Sequence, residues 1–313
     1  MILVLRALGV GDLATAVPAL RALRAGHPGG QLALAAPAWL APLVDLVGGV
    51  DRLLPTDGLG APPWPPPPVA VNLHGRGPQS HRMLAGAGRL LAFACPAAGH
   101  PDGPPWRDDE HEVDRWCRLL RWYGISADAG DLALRRPPAG AAPTGVTVVH
   151  PGTKLAQKRW PAERFAAVAR ALAGRGHRVV VTGSPAEREL AGRVAAAAGL
   201  PDAAVLAGRT DLGELAGLVA GARLVVCGDT GVGHLATGYG TPSVLLFGPV
   251  PPSEWGPPAD RPWHRVLWAG EGGWSGWTGS GTHPTLAALS VDEVLAAVDR
   301  VAEAVRVSGA VAA

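Results

Sequence analysis

Three short stretches of this 313-residue chain combine glycines with side chains able to move a proton or hold an anion. The first is Leu8-Gly9-Val10-Gly11-Asp12-Leu13-Ala14. Its glycines suit a tight turn from a strand into a helix, and Asp12 falls in the first helical turn. A carboxylate there is favoured by the helix dipole as a cap. It is equally fit to take a proton from a substrate hydroxyl. The Gly9-x-Gly11 spacing also fits a dinucleotide fingerprint, but the acidic residue that should close the next strand is missing, where the chain reads Ala33-Leu34-Ala35-Ala36-Pro37.

The second stretch is His150-Pro151-Gly152-Thr153-Lys154-Leu155-Ala156-Gln157-Lys158-Arg159-Trp160-Pro161. Of 28 basic residues only Lys154 and Lys158 are lysines, and both lie here. Cations, the Thr153 hydroxyl and backbone N–H groups beside a helix start are what a phosphate or diphosphate needs. A merely solvated basic loop is the plain alternative, and the confinement of both lysines to one window argues against it. The third stretch, Cys227-Gly228-Asp229-Thr230-Gly231-Val232-Gly233-His234-Leu235, again runs a strand through glycines into a helix. Thr230 and Gly231 could hold an anion at that turn. His234 reads as well as a core histidine as it does as a hydrogen-bond partner. Two anion-favouring loops in one half, without a Walker lysine, point to a nucleotide diphosphate held for transfer.

Other chemistries fare worse. Asp108-Asp109-Glu110-His111-Glu112 has ligand types without zinc-protease spacing, and acids before a helix usually serve its dipole. No G-x-S-x-G elbow occurs. Cys95, Cys117 and Cys227 form no C-x-x-C pair, so neither a disulfide framework nor a zinc site is expected. A net charge of +2 with no basic stripe argues against nucleic acid. The amino terminus lacks a signal-peptide pattern, and no apolar run reaches the ~18 residues of a membrane span. A cytoplasmic protein is expected, free or peripheral at the inner face of the membrane. The tryptophans of 255–277 are left without a role.

The elements that must carry these loops follow from pattern. With 48% hydrophobic and 17% charged residues, and about 150 residues per domain, two domains are expected. Short apolar runs at 2–5, 32–35, 52–54, 69–73 and 89–94 read as buried strands. Helical spacing appears over 13–23, 40–47 and 112–123, with a further helix from Gln79. The proline run 62–68 is a stiff surface loop. A small, proline-rich stretch at 135–145 marks a boundary between domains 1–140 and 145–313. Strands then recur at 146–150, 178–182, 203–206, 224–227 and 243–247, with helices at 162–173, 186–198, 212–220 and 233–239. Residues 248–284 read as loop, and a last helix over 291–305 opens on the capping box Ser290 and Glu293. Alternation of this kind implies two doubly wound parallel-sheet α/β domains. Ligands of such sheets bind beyond the strands' carboxyl ends, so a cleft between the domains is the expected active site.

The order Arg6, Gly11-Asp12-Leu13 and Pro18-Ala19-Leu20, then His150-Pro151-Gly152-Thr153 and Lys158-Arg159-Trp160-Pro161, then Asp229-Thr230-Gly231, His234-Leu235-Ala236 and Phe247-Gly248-Pro249 resembles glycosyltransferase family 9, the heptosyltransferase-like enzymes. The resemblance extends to His283-Pro284 and Ser290-Val291-Asp292-Glu293 near the end. It implies a GT-B fold of two Rossmann-like domains, with the acceptor in the first and the nucleotide-sugar in the second. It implies an inverting, metal-independent transfer of heptose or a related sugar to an acceptor hydroxyl, with no cofactor and an ADP-sugar as donor. Asp12 then resembles the general base. Thr153, Lys158, Thr230 and Gly231 resemble the diphosphate contacts, and Glu187 the ribose-binding carboxylate. Lys154, Asp229 and His234 complete the donor side. Arg76, His81 and Arg82 are the acceptor-side candidates, for a glycan, lipid-linked or small-molecule acceptor. A non-hydrolysing sugar-nucleotide epimerase of the same fold, an NAD-dependent oxidoreductase and a silent nucleotide-sugar-binding subunit are the rival readings.

Overall fold

The structure, a computed structural model, describes residues 1–138, 142–270 and 279–309. Part of the expected boundary, residues 139–141, lies outside these, as do residues 271–277 of the tryptophan-rich segment. The chain divides into two compact units, Met1–Arg135 and Arg136–Ala313.

In the first unit the elements run β1 (Ile2–Leu5), α1 (Val10–Thr15), α2 (Val17–Gly26), β2 (Leu32–Ala36), α3 (Ala41–Val47), β3 (Arg52–Pro55), β4 (Val69–Asn72), α4 (Gln79–Met83), β5 (Arg89–Leu91) and α5 (Glu112–Trp122). The sheet is parallel throughout, in the order β3-β2-β1-β4-β5. β1 and β2 are buried at every residue, which is why they read as apolar runs and not as alternation. The single helix expected over 13–23 is two. Pro18 has no N–H to give the preceding turn, so α1 closes at Ala16 and α2 restarts with that proline in its first turn. Inside the proline run, Trp64 is buried against Leu3, Leu5, Ala33, Ala35 and Ala70. The stretch expected to be wholly surface thus pins itself to the sheet through one indole.

The second unit runs β6 (Thr147–His150), α6 (Ala162–Gly174), β7 (Val179–Val181), α7 (Arg188–Ala198), α8 (Leu212–Ala220), β8 (Leu224–Gly228), α9 (Gly231–Tyr239), β9 (Ser243–Leu246), α10 (Pro252–Trp255), β10 (His264–Leu267), α11 (Pro284–Ala287) and α12 (Val291–Ser308). Its sheet is also parallel, in the order β10-β9-β8-β6-β7. The strand expected at 203–206 is not formed. Asp202–Ala204 is a 3-10 turn, and what remains is one parallel bridge, Val181 to Val205. The fifth strand is instead β10, inside the segment expected to be loop. α12 packs Val294, Ala297, Val298 and Val301 onto the core, and its Ser290–Glu293 capping box is formed. Trp160 and Phe165 meet edge to face at 5.0 Å in the same core, and the Trp160 indole N–H donates to the Leu289 carbonyl at 3.1 Å.

In each sheet the chain leaves its first strand toward one side and later returns to the other. In the first unit that reversal lies between β1 and β4, and in the second between β6 and β8. A crevice at the strands' carboxyl ends is left at such a point. The loops after β1 and β4, and those after β6 and β8, are therefore the positions to examine.

Candidate functional site

In the first unit the loop after β1 is held by Arg6, whose side chain is 0% exposed. Its Nε donates to the Asp12 carbonyl at 2.9 Å and its Nη1 to the Leu73 carbonyl after β4. Nη2 reaches Thr15 Oγ1 at 3.3 Å and Glu112 Oε1 at 2.8 Å, and the guanidinium lies 4.7 Å from the Trp116 ring centre. A buried cation is tolerated only when paired and hydrogen-bonded in this way. Burial alone would raise the Glu112 pKa, but the charge and hydrogen bond of Arg6, helped by Arg115 and Trp116, bring it below the ordinary value. Asp12 sits on this brace with 29% of its side chain exposed. One carboxylate oxygen accepts the Gly9 N–H at 3.0 Å and the other lies 3.6 Å from Arg6 Nη2. The arrangement fixes the carboxylate in place while leaving part of it open to solvent.

In the second unit the sheet brings together residues far apart in sequence. Lys158 Nζ donates to Asp229 Oδ2 at 2.6 Å, joining the loop after β6 to the loop after β8. Thr230 is the N-cap of α9, yet its side chain makes no capping bond, and its buried hydroxyl has only the weakly interacting Cys227 thiol for company. Burial pushes that thiol up to about 12, so it stays protonated. Gly231 is the first residue of α9. Gly233 faces β9 so closely that an added Cβ would stand 3.0 Å from a Leu245 methyl, which is the close helix–sheet approach a glycine allows. His234 packs edge to face on Trp255 of α10 at 5.8 Å.

The Glu187 carboxylate lies against Gly152, where an added Cβ would come within 2.3 Å of it. Its Oε2 accepts from Ser184 N at 2.8 Å and from Ser184 Oγ at 2.9 Å, a capping box that opens the turn into α7. Oε1 accepts no hydrogen bond among the described residues. Buried His150, bonded to Thr182 Oγ1 at 2.9 Å, is held below its ordinary pKa by burial, against the opposing charge of Glu187. Thr153 is half-buried and its carbonyl is bonded by Arg159, whereas Lys154 is exposed. Lys158, Asp229 and Thr230 are thus gathered, while Lys154 lies on the surface.

The acceptor-side candidates divide. Arg76 is exposed, with Asp108 3.6 Å away, and Arg82 is exposed and bonded to the Ala97 carbonyl at 2.9 Å. His81 is 1% exposed, with Nε2 2.8 Å from the Phe93 carbonyl and Nδ1 3.1 Å from Asn72 Nδ2. It is a structural residue of the core and offers no face to an acceptor. Among the described residues no three His, Cys, Asp or Glu side chains gather as a metal-ligand set, and Glu112 of the acidic stretch is spent on Arg6 and Arg115. All three cysteines are buried and free. No helix of the described residues is long and apolar enough to cross a membrane. Sequence reasoning gave no role to the Arg6–Glu112 brace. Its one local signal was a charged residue ending an otherwise wholly apolar strand.

The sequence model of glycosyltransferase family 9 (heptosyltransferase) matches residues 107–269. Lipopolysaccharide heptosyltransferase 1 of Pseudomonas aeruginosa is 39% identical over 150 residues, 46% of this chain and 41% of that protein. Lipopolysaccharide heptosyltransferase 3 of Escherichia coli is 33% identical over 129 residues, 40% of this chain and 36% of that protein. The matched stretch therefore spans less than half the length of these curated relatives. Among solved structures, the Escherichia coli ADP-heptose lipopolysaccharide heptosyltransferase II superposes with a TM-score of 0.75 at 22% identity, over 98% of this chain and 99% of that one. A family 9 glycosyltransferase of Veillonella parvula gives 0.80 at 21%, over 96% and 97%. These likenesses show the fold, GT-B, along nearly the whole chain. The family match covers just over half of it, and by that match the chain belongs to glycosyltransferase family 9.

Proposed function

We propose that this protein is a heptosyltransferase that moves a heptose from ADP-heptose to an acceptor hydroxyl on a lipopolysaccharide-type glycan. The observation that carries the reading is the convergence of Lys158, Asp229 and the uncapped Thr230 turn where the second sheet reverses. A cation and open N–H groups there suit a diphosphate. One heptosyltransferase of this fold, from Escherichia coli, is solved both with ADP and with ADP-2-deoxy-2-fluoro heptose.

In this reading Asp12 takes the acceptor hydroxyl proton as the oxygen attacks the anomeric carbon. The bond from that carbon to the diphosphate oxygen breaks, and its electron pair leaves with ADP. Lys158 and the start of α9 offset the charge that develops on the leaving group, so no divalent ion is required. A single displacement of this kind inverts the anomeric centre. Thr153, Thr230 and Gly231 contact the diphosphate. The open Oε1 of Glu187 takes a ribose hydroxyl, and Gly152 clears its approach. Asp229 holds Lys158, while His234 and Lys154 border the donor. Arg76 and Arg82 remain available to an anionic acceptor. The first unit serves the acceptor and the second the donor, and the enzyme works in the cytoplasm, at the inner face of the membrane.

Thermal shifts with ADP-heptose and with GDP-, UDP- and dTDP-sugars test the donor, because a ligand bound only by the native state raises its midpoint. ADP-heptose should give the largest rise, and a larger one from another nucleotide would overturn the donor assignment. Transfer to lipopolysaccharide lacking heptose should fall about 10²–10⁴-fold in Asp12→Asn, with ADP binding unchanged. Turnover of the donor to a new sugar nucleotide without acceptor would reveal an epimerase instead.

A further inference from the structure

We infer that His74 is a second acceptor-binding residue, holding through its Nε2–H an acceptor oxygen next to the hydroxyl that reacts. This rests on the reading of Asp12 as the base. His74 follows β4 at the point where the first sheet reverses, and its backbone is fixed from both sides. The Leu73 carbonyl accepts from buried Arg6, the guanidinium that also bonds the Asp12 carbonyl. The His74 N–H donates to Asn72 Oδ1 at 3.0 Å. Asn72 Nδ2 in turn contacts the Gly75 carbonyl at 3.2 Å and Ser80 Oγ at 2.9 Å. The loop is therefore anchored around the imidazole, while the ring itself bonds to nothing among the described residues.

The ring's two nitrogens differ. Nδ1 is buried and has no partner. A proton placed there would be a buried donor with no acceptor, and folded proteins orphan a buried N–H more rarely than an acceptor. The tautomer with hydrogen on Nε2 follows, which gives a donor on the more open side of a half-buried ring. Burial first, and then the charge of Arg6, hold His74 below its ordinary pKa, with Asp12 opposing, so the ring is neutral and stays a donor of one hydrogen. Asp12 and Arg6 are near enough for both charges to be felt there. A neutral N–H beside a carboxylate is suited to a polyol, in which one oxygen gives up its proton while its neighbour is held. It does not compete for the proton that Asp12 receives.

The test uses the full chain, ADP-heptose, and lipopolysaccharide lacking heptose as acceptor probe. His74→Ala should raise the acceptor KM about three- to tenfold, the loss of one neutral hydrogen bond, with the KM for ADP-heptose and the thermal midpoint unchanged. His74→Gln, whose amide N–H falls near the Nε2 position, should restore the acceptor KM, while His74→Asn, which mimics Nδ1, should not. An unchanged acceptor KM in His74→Ala overturns the assignment. So does an equal loss with donor and acceptor, or rescue by Asn and Gln alike. Asp12→Asn measured beside these variants keeps the two claims apart. Full transfer by Asp12→Asn would remove the base and leave the His74 effect on KM to be read by itself.

Discussion

In the first unit the loop after β1 is tied down by a cation buried beneath it, whereas in the second unit the loop after β6 carries its cation near the surface. Arg6 is fully enclosed and shares its hydrogens among Asp12, Thr15, Leu73 and Glu112. Among the described residues Lys158 pairs with Asp229 alone, and it keeps 20% of its side chain exposed. In the same unit, the Thr230 hydroxyl and Glu187 Oε1 make no conventional hydrogen bond among the described residues. The first arrangement is finished without a ligand, and its effect is to fix a carboxylate. The second is left open, with a Thr230 hydroxyl that an anion would complete and a Glu187 carboxylate oxygen that a sugar hydroxyl would. A proton acceptor gains from a fixed position. A leaving-group site gains from donors that are not already spent.

The largest test of that contrast is to remove one side of the brace. Glu112→Ala strands Arg6 in the core, and breaking a buried pair in this way should cost about 3–5 kcal/mol of stability by denaturant unfolding. Lys158→Met strands the largely buried Asp229 instead, but a carboxylate can take up a proton whereas the Arg6 guanidinium cannot lose one, so stability should fall less. ADP affinity by calorimetry should fall about 10- to 150-fold, the loss of roughly 1.5–3 kcal/mol from a charge-assisted bond. If Lys158→Met unfolds the chain as readily as Glu112→Ala does, the two sites are built alike and the contrast fails.

Acid sharpens it further. The Glu112 pKa in the folded state lies below the ordinary value of 4.5. A depressed carboxylate contributes stability that is present above its unfolded pKa and lost as pH falls through the folded one. The midpoint of the natural protein should therefore fall more steeply below pH 4.5 than that of Glu112→Gln, which has no proton to take up there. Parallel curves would mean that the brace draws nothing from the ionised carboxylate.

How much of this was readable in advance follows the range of each interaction. β1 is a continuous apolar run that ends at Arg6, and β8 is one that closes on Gly228, and a local pattern finds both. β10, His264–Leu267, is as short as β1 but reads His-Arg-Val-Leu and buries His264 alone, so no apolar run distinguishes it from loop. Residues 203–206 have a strand's composition, but only Val205 bridges β7, because the 3-10 turn at Asp202–Ala204 takes up the backbone. Asp12 and Thr230 are legible from their glycine-rich turns and Lys158 from the confinement of both lysines to one loop, whereas Asp229 is legible only through the resemblance to the family. The Lys158–Asp229 bond spans 71 positions and the Arg6–Glu112 bond 106, and no spacing rule reaches so far. His81, expected on the acceptor side, is instead enclosed by Asn72 of β4 and the Phe93 carbonyl beyond β5, a packing that only the assembled sheet reveals.

The smallest expected effect tests the open site most directly. Thr230 caps α9 by position alone, and its hydroxyl is buried without a capping bond. An N-cap threonine that bonds its helix costs about 1 kcal/mol when removed. Here Thr230→Val takes away a buried hydroxyl whose one interaction is a weak one with the Cys227 thiol, so stability should hold or rise by up to roughly 0.5 kcal/mol. ADP affinity should nevertheless fall about fivefold, or roughly 1 kcal/mol, because the lost hydroxyl is one the diphosphate would have engaged. A residue whose loss leaves the fold intact and weakens the ligand is set aside for that ligand. If Thr230→Val lowers stability by the full value of a cap and leaves ADP binding untouched, the hydroxyl belongs to the helix and the second site is as closed as the first.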